Sequence, residues 1–92
     1  MSERRSKLSI LADILRLIAK ENGKTKPTHI LYGANLSHER LKKHLASLIN
    51  DGFIQQTSED GRTYYIITDK GRLFIQEYKK VKQFSDAFGI DA

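Results

Sequence analysis

Residues 35–67 read NLSHERLKKHLASLINDGFIQQTSEDGRTYYII, and this stretch decides the fold. After the break at Asn35-Leu36-Ser37, apolar side chains recur at helical spacing on one side, at Leu41, Leu45, Leu48 and Ile49. Ser37 suits the N-cap of this helix, and Gly52 suits the position just after its end. The pattern then becomes extended, and Asp60-Gly61 between two extended runs, Phe53 to Thr57 and Arg62 to Ile67, predicts a β-hairpin.

Two further helices are predicted upstream of this stretch. Residues Lys7 to Lys20 carry apolar side chains over about half of a helical wheel, with Ser6 as the N-cap and Asn22-Gly23 as the stop. After a polar connector from Lys24 to Pro27, a helix of two turns is predicted from Thr28 to Ala34. Only three residues separate this short helix from the next one, which is typical of a helix-turn-helix.

Downstream of the hairpin, a fourth helix is predicted to begin at Thr68-Asp69 and to run toward Phe88. The whole order is that of an α+β winged helix-turn-helix fold, with a three-helix core, a two-stranded wing and a C-terminal helix. We expect a single domain over residues 1–92. Within it, residues 1–5 form a flexible basic arm, residues 6–68 the winged-helix core and residues 69–88 the C-terminal helix.

Composition narrows the range of functions. The 92 residues leave room for one core, and the absence of Cys excludes disulfides and thiolate metal sites. No apolar run is long enough for a membrane span, so we expect a cytoplasmic protein without a membrane partner. The three histidines fall on different faces, and no nucleophile or acid/base pairing is visible, so we expect no metal site and no enzymatic activity. Sixteen Lys and Arg against eleven Asp and Glu give a net charge of +5, which favours a polyanionic partner.

Several short motifs, in this order, carry a resemblance to a known family: LADIL at 11–15, THILY at 28–32, ANLS at 34–37, LINDGFI at 48–54 and ITDKG at 67–71. Together they resemble the small archaeal winged-helix proteins that act as transcriptional regulators or chromatin-like DNA binders. The resemblance covers most of residues 6–80. It implies binding to double-stranded DNA in the nucleoid, as a homodimer joined by the C-terminal helix, without metal or cofactor. The sequence departs from that pattern in the acidic wing tip, Glu59-Asp60, and in a C-terminal helix that is short for a long coiled coil.

The third helix is the predicted DNA-reading element. With its leucines inward, the opposite face carries Glu39, Arg40, Lys43, Ala46, Ser47 and Asn50, while Ser37, His38 and Lys42 adjoin that face. Arg and Lys donate to guanine, and Asn reads adenine. The alternative is an ordinary solvated helix face.

Two further places are predicted to reach DNA. Arg4, Arg5 and Lys7 cluster at the start of the chain, where they could meet the DNA backbone; the alternative is a solvated arm. Arg62 follows the wing tip and could meet a phosphate, although the neighbouring acids favour solvent there.

The last helix is predicted to join two copies of the chain. Leu73 and Phe74 are expected to pack on the core, and the later residues Tyr78, Val81, Phe84 and Phe88 form an apolar stripe that a monomer would expose. Packing of the stripe within the chain is the alternative. At the level of the whole protein, the competing function is a winged helix that binds another protein and no nucleic acid.

Overall fold

The computed structural model describes residues 6–90. Its first helix, α1 (Lys7–Lys20), begins where the Ser6 hydroxyl oxygen accepts a hydrogen bond from the Ser9 amide at 3.0 Å. The chain leaves α1 through Asn22 and Gly23, whose φ angles of 60° and 82° are those of a left-handed helix terminus. Both ends of the helix therefore lie where the sequence predicted them.

The second and third helices, α2 (Pro27–Ala34) and α3 (His38–Asn50), form the helix-turn-helix. Asn35 turns the chain with a φ of 54°, a conformation that asparagine tolerates well, and Ser37 caps α3 by accepting a hydrogen bond from the Arg40 amide at 3.3 Å. The prediction that α2 begins at Thr28 was one residue late. Proline suits the first position of a helix because its φ is already helical and its missing N–H would have no helical partner there.

Three antiparallel strands form the sheet, in the order β1-β3-β2: β1 (Lys24–Thr25), β2 (Ile54–Glu59) and β3 (Arg62–Ile67). Asp60 and Gly61 alone join β2 to β3, with φ angles of 51° and 74°, so the wing turns through the tight two-residue connection that matches strand twist. The hairpin prediction is confirmed. The prediction of a plain connector was wrong at β1, which pairs with Tyr65 and Ile66.

The fourth helix, α4 (Asp69–Ala87), starts at Thr68, whose hydroxyl oxygen accepts from the Gly71 amide at 3.1 Å and donates to the Gly52 carbonyl oxygen at 2.7 Å. One side chain thus caps α4 and ties it to the end of α3. Gly71 lies so close to the chain entering β2 that a Cβ atom there would overlap the Phe53 carbonyl oxygen. The first turn of α4 is therefore fixed on the core.

A core of buried apolar side chains lies between α1, α2, α3 and the sheet. Because α1 packs against α2, α4 and β3, it contributes the largest group of these residues. The core consists of Ile10, Leu11, Ile14, Leu15, Ile18, Ile30, Leu31, Ala34, Leu36, Leu41, Leu45, Leu48, Ile54 and Ile67.

Two apolar residues predicted to face inward lie at the surface. Ile49 keeps 36% of its surface exposed, because the step of about 100° from buried Leu48 carries it past the core toward the sheet. Leu73 is 54% exposed, because the side of α4 that packs inward is set by Gly71 and Tyr78. Helical periodicity gave the direction of each stripe but not its edges.

Candidate nucleic-acid interface

The outward face of α3 is defined by its three buried leucines. Helical geometry places Lys43 and Asn50 nearly opposite them, with Arg40 and Ser47 on one flank and Lys42 on the other, beside the sheet. Lys43, Asn50, Arg40 and Lys42 are exposed, and Ser47 is half-buried. The fold therefore brings the predicted α3 residues onto one continuous surface.

Three cations dominate this surface. Arg40, Lys42 and Lys43 form no ion pair with any residue in the described range 6–90, whereas Arg16, Lys24, Lys80 and Lys82 each lie within 4 Å of a carboxylate oxygen. A positive charge without an internal ion pair attracts a polyanion more strongly than a paired one does, and it can bind the polyanion without first breaking a contact within the protein. The exposed carboxylate of Glu39 is the one acid on this face.

The polar side chains at and near α3 differ in whether they already form hydrogen bonds within the protein. The Ser37 hydroxyl oxygen is occupied by the helix cap and keeps only its O–H for a partner. The Asn50 amide nitrogen donates to Asp51 at the helix end through a long bond of 3.4 Å, a weak contact that an adenine edge could replace. His38 is exposed at the start of the helix, beside Lys42.

An open apolar cleft of about 510 Å³ runs between α3 and the sheet. It is lined mainly by Leu41, Leu45, Ala46 and Ile49 of α3 and by Gln56 and Tyr65 of the sheet. Burial raises the pKa of the Tyr65 phenol, a group that is uncharged at neutral pH even without this shift, so the sheet side of the cleft carries no charge. The cleft could not be predicted from the sequence, because its presence depends on the distance between α3 and the wing.

The wing is less acidic than its sequence suggested. The Lys24 ammonium lies 2.7 Å from a Glu59 carboxylate oxygen and 5.0 Å from the centre of the Tyr64 ring, so one of the two wing acids is neutralised by β1. Arg62 is exposed at the other side of the turn and pairs across the strands with Glu59 in the sheet register. The contact of Lys24 with the wing was not predicted, because β1 has only two residues and its partner strand lies far along the chain.

At the start of the chain, Lys7 is exposed on the first turn of α1. Arg4 and Arg5, predicted to lie beside it, fall outside the described residues. Lys7 lies on α1 and is therefore on a different element from the basic residues of the α3 surface. Both elements have exposed basic side chains.

The apolar stripe of α4 differs from its prediction at one end. Tyr78 is buried: its ring stacks with Phe74 at 6.4 Å and lies 5.6 Å from the Arg16 guanidinium of α1, so it does not belong to an exposed stripe. Val81, Phe84 and Phe88 are 49%, 62% and 67% exposed.

Leu73, at 54% exposure, extends this stripe toward the start of α4, and Ile90, at 57% exposure, lies just past the end of the helix. The spacing of Leu73, Glu77, Val81, Phe84 and Phe88, which is four, four, three and four residues, could have revealed that Leu73 shares the side of the later residues. We call Leu73, Val81, Phe84, Phe88 and Ile90 the α4 stripe. It spans roughly 20 Å along the helix.

The family model that describes a winged helix-turn-helix matches residues 4–86, nearly the whole chain. The chain belongs to the winged helix-turn-helix family. The described residues show the features that define it: α2 and α3 joined by a three-residue turn, and the β2–β3 wing directly after α3.

Other proteins resemble this chain in sequence and in structure. An uncharacterized protein of Methanocaldococcus jannaschii, MJ0290, is 32% identical over 80 residues, which are 87% of this chain and 35% of the relative. The chain therefore spans about a third of the length of that relative. The solved structure of Sso10a-2, a DNA-binding protein from Sulfolobus solfataricus, has a TM-score of 0.83 and 27% identity, covering 91% of this chain and 85% of that one. F93 from STIV, a winged-helix DNA-binding protein, has a TM-score of 0.69 at 17% identity, covering 89% and 92%, and supports the fold alone.

These relatives confirm the resemblance to archaeal winged-helix proteins that the sequence motifs indicated. Among residues 6–90, no helix is both long and apolar enough to cross a membrane, and no three His, Asp or Glu side chains are grouped as a metal ion would require.

Proposed function

We propose that this winged helix-turn-helix protein binds double-stranded DNA with α3 in the major groove and acts as a transcriptional regulator or chromatin-associated protein. One observation carries the proposal: Arg40, Lys42 and Lys43 project outward from α3, directly after a helix-turn-helix, with no acid among residues 6–90 paired to them. A helix fits the major groove, and three unopposed cations on it fit the phosphates that line that groove.

Each side chain then has a role set by its direction. Arg40 and Lys43 donate to guanine O6 and N7, Asn50 reads adenine, and Ser47 reaches a base or a phosphate. Beside these groups, Ser37, His38 and Lys42 contact the backbone, and Glu39 accepts from a cytosine amino group. Lys7, with Arg5 before it in the sequence, and Arg62 of the wing add peripheral phosphate contacts.

A structural relative supports this assignment. Sso10a-2 is a DNA-binding protein, and its likeness to this chain extends over most of both chains. Reading DNA through a helix requires no catalytic group, and we assign neither a catalytic group nor a cofactor to this chain.

The DNA-bound form is a homodimer joined through the α4 stripe. Five exposed apolar side chains along α4 and just past its end, with the Phe84 and Phe88 rings only 4.8 Å apart, form a surface that a second copy can cover symmetrically. Two reading helices in one particle raise the affinity through effective concentration, without new base contacts. A protein with this role works where the DNA is, in the cytoplasm on the nucleoid.

The test is the salt dependence of binding to duplex DNA. Each phosphate contact releases condensed counterions, so a dimer making on the order of 6 to 10 contacts gives a slope of roughly −5 to −9 in a plot of log affinity against log salt. A slope shallower than about −2 contradicts the proposal. Lys79→Ala removes one exposed positive charge from α4 and serves as a matched control for Lys42→Ala on α3; only the latter should reduce the slope, by about one.

A further inference from the structure

The α3 surface carries an apolar edge among its cations. Ala46 is exposed one turn after Lys42 and Lys43, and Ile49, nearly a turn further along, keeps 36% of its surface exposed. Below this edge the apolar cleft continues inward to Leu41 and Leu45. If α3 contacted only phosphates and polar base edges in a DNA complex, this apolar surface would have no apolar partner there.

The major groove offers one apolar group to such a surface, the C5-methyl group of thymine. We propose that Ala46 and Ile49 form a contact site for thymine methyl groups, which makes them specificity-determining residues of the α3 surface. This inference rests on the proposed function, since it concerns what α3 reads once it lies in the groove. It predicts that preferred binding sites contain A·T pairs at the positions facing these two residues.

Charge favours this occupant over an apolar segment of a protein. Lys42 and Lys43 lie on either side of Ala46 and form no ion pair within residues 6–90, and Glu39 is the one acid that lines the cleft. The net positive charge of this edge therefore favours an occupant that brings negative charge beside a small apolar group. DNA does this, because the thymine methyl lies in a groove bordered by two rows of phosphates. On the sheet side the cleft is lined by Gln56 and by the uncharged phenol of Tyr65, so that side carries no charge.

The experiment compares two duplexes that differ only in this methyl group. One duplex sequence, chosen by selection from a random library, is synthesised with thymine and again with uracil in its place. We expect the parent protein to bind the thymine duplex more tightly, by roughly fourfold for each methyl group covered. Ala46→Ser replaces the apolar contact by a hydroxyl of similar size and should bring the ratio of the two affinities toward one, as should Ile49→Ala.

Lys43→Ala is the matched control on the same helix. It should weaken binding to both duplexes and leave their ratio as in the parent, since a guanine or phosphate contact does not depend on the methyl group. A ratio of one in a parent that binds both duplexes overturns this inference alone, and so does a ratio that neither Ala46→Ser nor Ile49→Ala changes. A parent that binds neither duplex overturns the proposed function and this inference with it.

Discussion

At the scale of single residues, the direction in which each α3 side chain points determines which basic residues of α3 can read bases. Arg40 and Lys43 point away from the buried leucines, and neither is tied to a carboxylate within the described chain. Replacing either one by Ala should leave the free energy of unfolding nearly unchanged and weaken DNA binding by roughly 1 to 3 kcal/mol if it reads a base. Binding isotherms at fixed salt measure this, with Lys79→Ala as the control, and Arg62→Ala should have a smaller effect. Parent-like binding by both α3 variants would mean that another element reads the DNA.

The Lys24–Glu59 pair sets the charge of the wing. Glu59→Gln removes one wing acid and frees the Lys24 ammonium, so we expect DNA binding to tighten by roughly two- to fivefold and the salt slope to steepen by about one. Stability should change by at most about 1 kcal/mol, since both partners are exposed.

Asp60→Asn is the matched control for this variant, because it removes a neighbouring negative charge without releasing Lys24, and asparagine accepts the left-handed conformation at that position. Equal affinities for Glu59→Gln, Asp60→Asn and the parent would show that the wing does not approach the phosphates.

At the scale of elements, the position of α4 depends on a residue without a side chain. Alanine normally stabilises a helix relative to glycine, but at Gly71 its Cβ would overlap the backbone oxygen of Phe53, which cannot move without shifting β2. We expect Gly71→Ala to lower the free energy of unfolding by roughly 1 to 3 kcal/mol.

Urea unfolding measures this change, and Gly33→Ala on α2 is the matched control. The atoms nearest an added Cβ at Gly33 belong to the end of the Leu17 side chain, which can rotate away. Two substitutions with the same effect on stability would contradict the assigned role of Gly71.

Elements were predictable from the sequence where their signals are local. Ser6, Ser37 and Thr68 each cap a helix as predicted, because capping depends on a side chain and an amide three residues away. The strand β1 was missed because its identity comes from a partner that is distant in sequence. Among candidate site residues, the α3 face followed from periodicity. The burial of Tyr78 did not, since it requires the position of Arg16 on α1.

At the scale of the whole molecule, the α4 stripe predicts self-association. A few hundred Å² of apolar area buried per partner, at about 25 cal/mol per Å², stabilises a pair by several kcal/mol before the entropic cost of association, enough for a micromolar dimer. Val81→Asp combined with Phe84→Asp should give a folded monomer, because both side chains are already exposed in the single chain.

Sedimentation of the parent and of this double variant at tens of micromolar measures the effect, and Lys79→Asp is a control for added negative charge elsewhere on α4. A monomeric parent, or a double variant that stays dimeric, contradicts the assigned interface.

The short strand β1 has a consequence for the time course of folding. The contacts within the hairpin and within the helix-turn-helix are between residues close in sequence. In contrast, β1 and β3 are separated by about forty residues, which must form a closed loop before the two strands can pair. Local contacts form quickly, whereas closing a long loop costs chain entropy before the contacts that stabilise the closed loop can form. We therefore expect the wing and the two helices to be largely in place at the folding barrier, with β1 joining the sheet on the native side of it. The contacts of β1 then slow the opening of the finished domain more than they speed its formation.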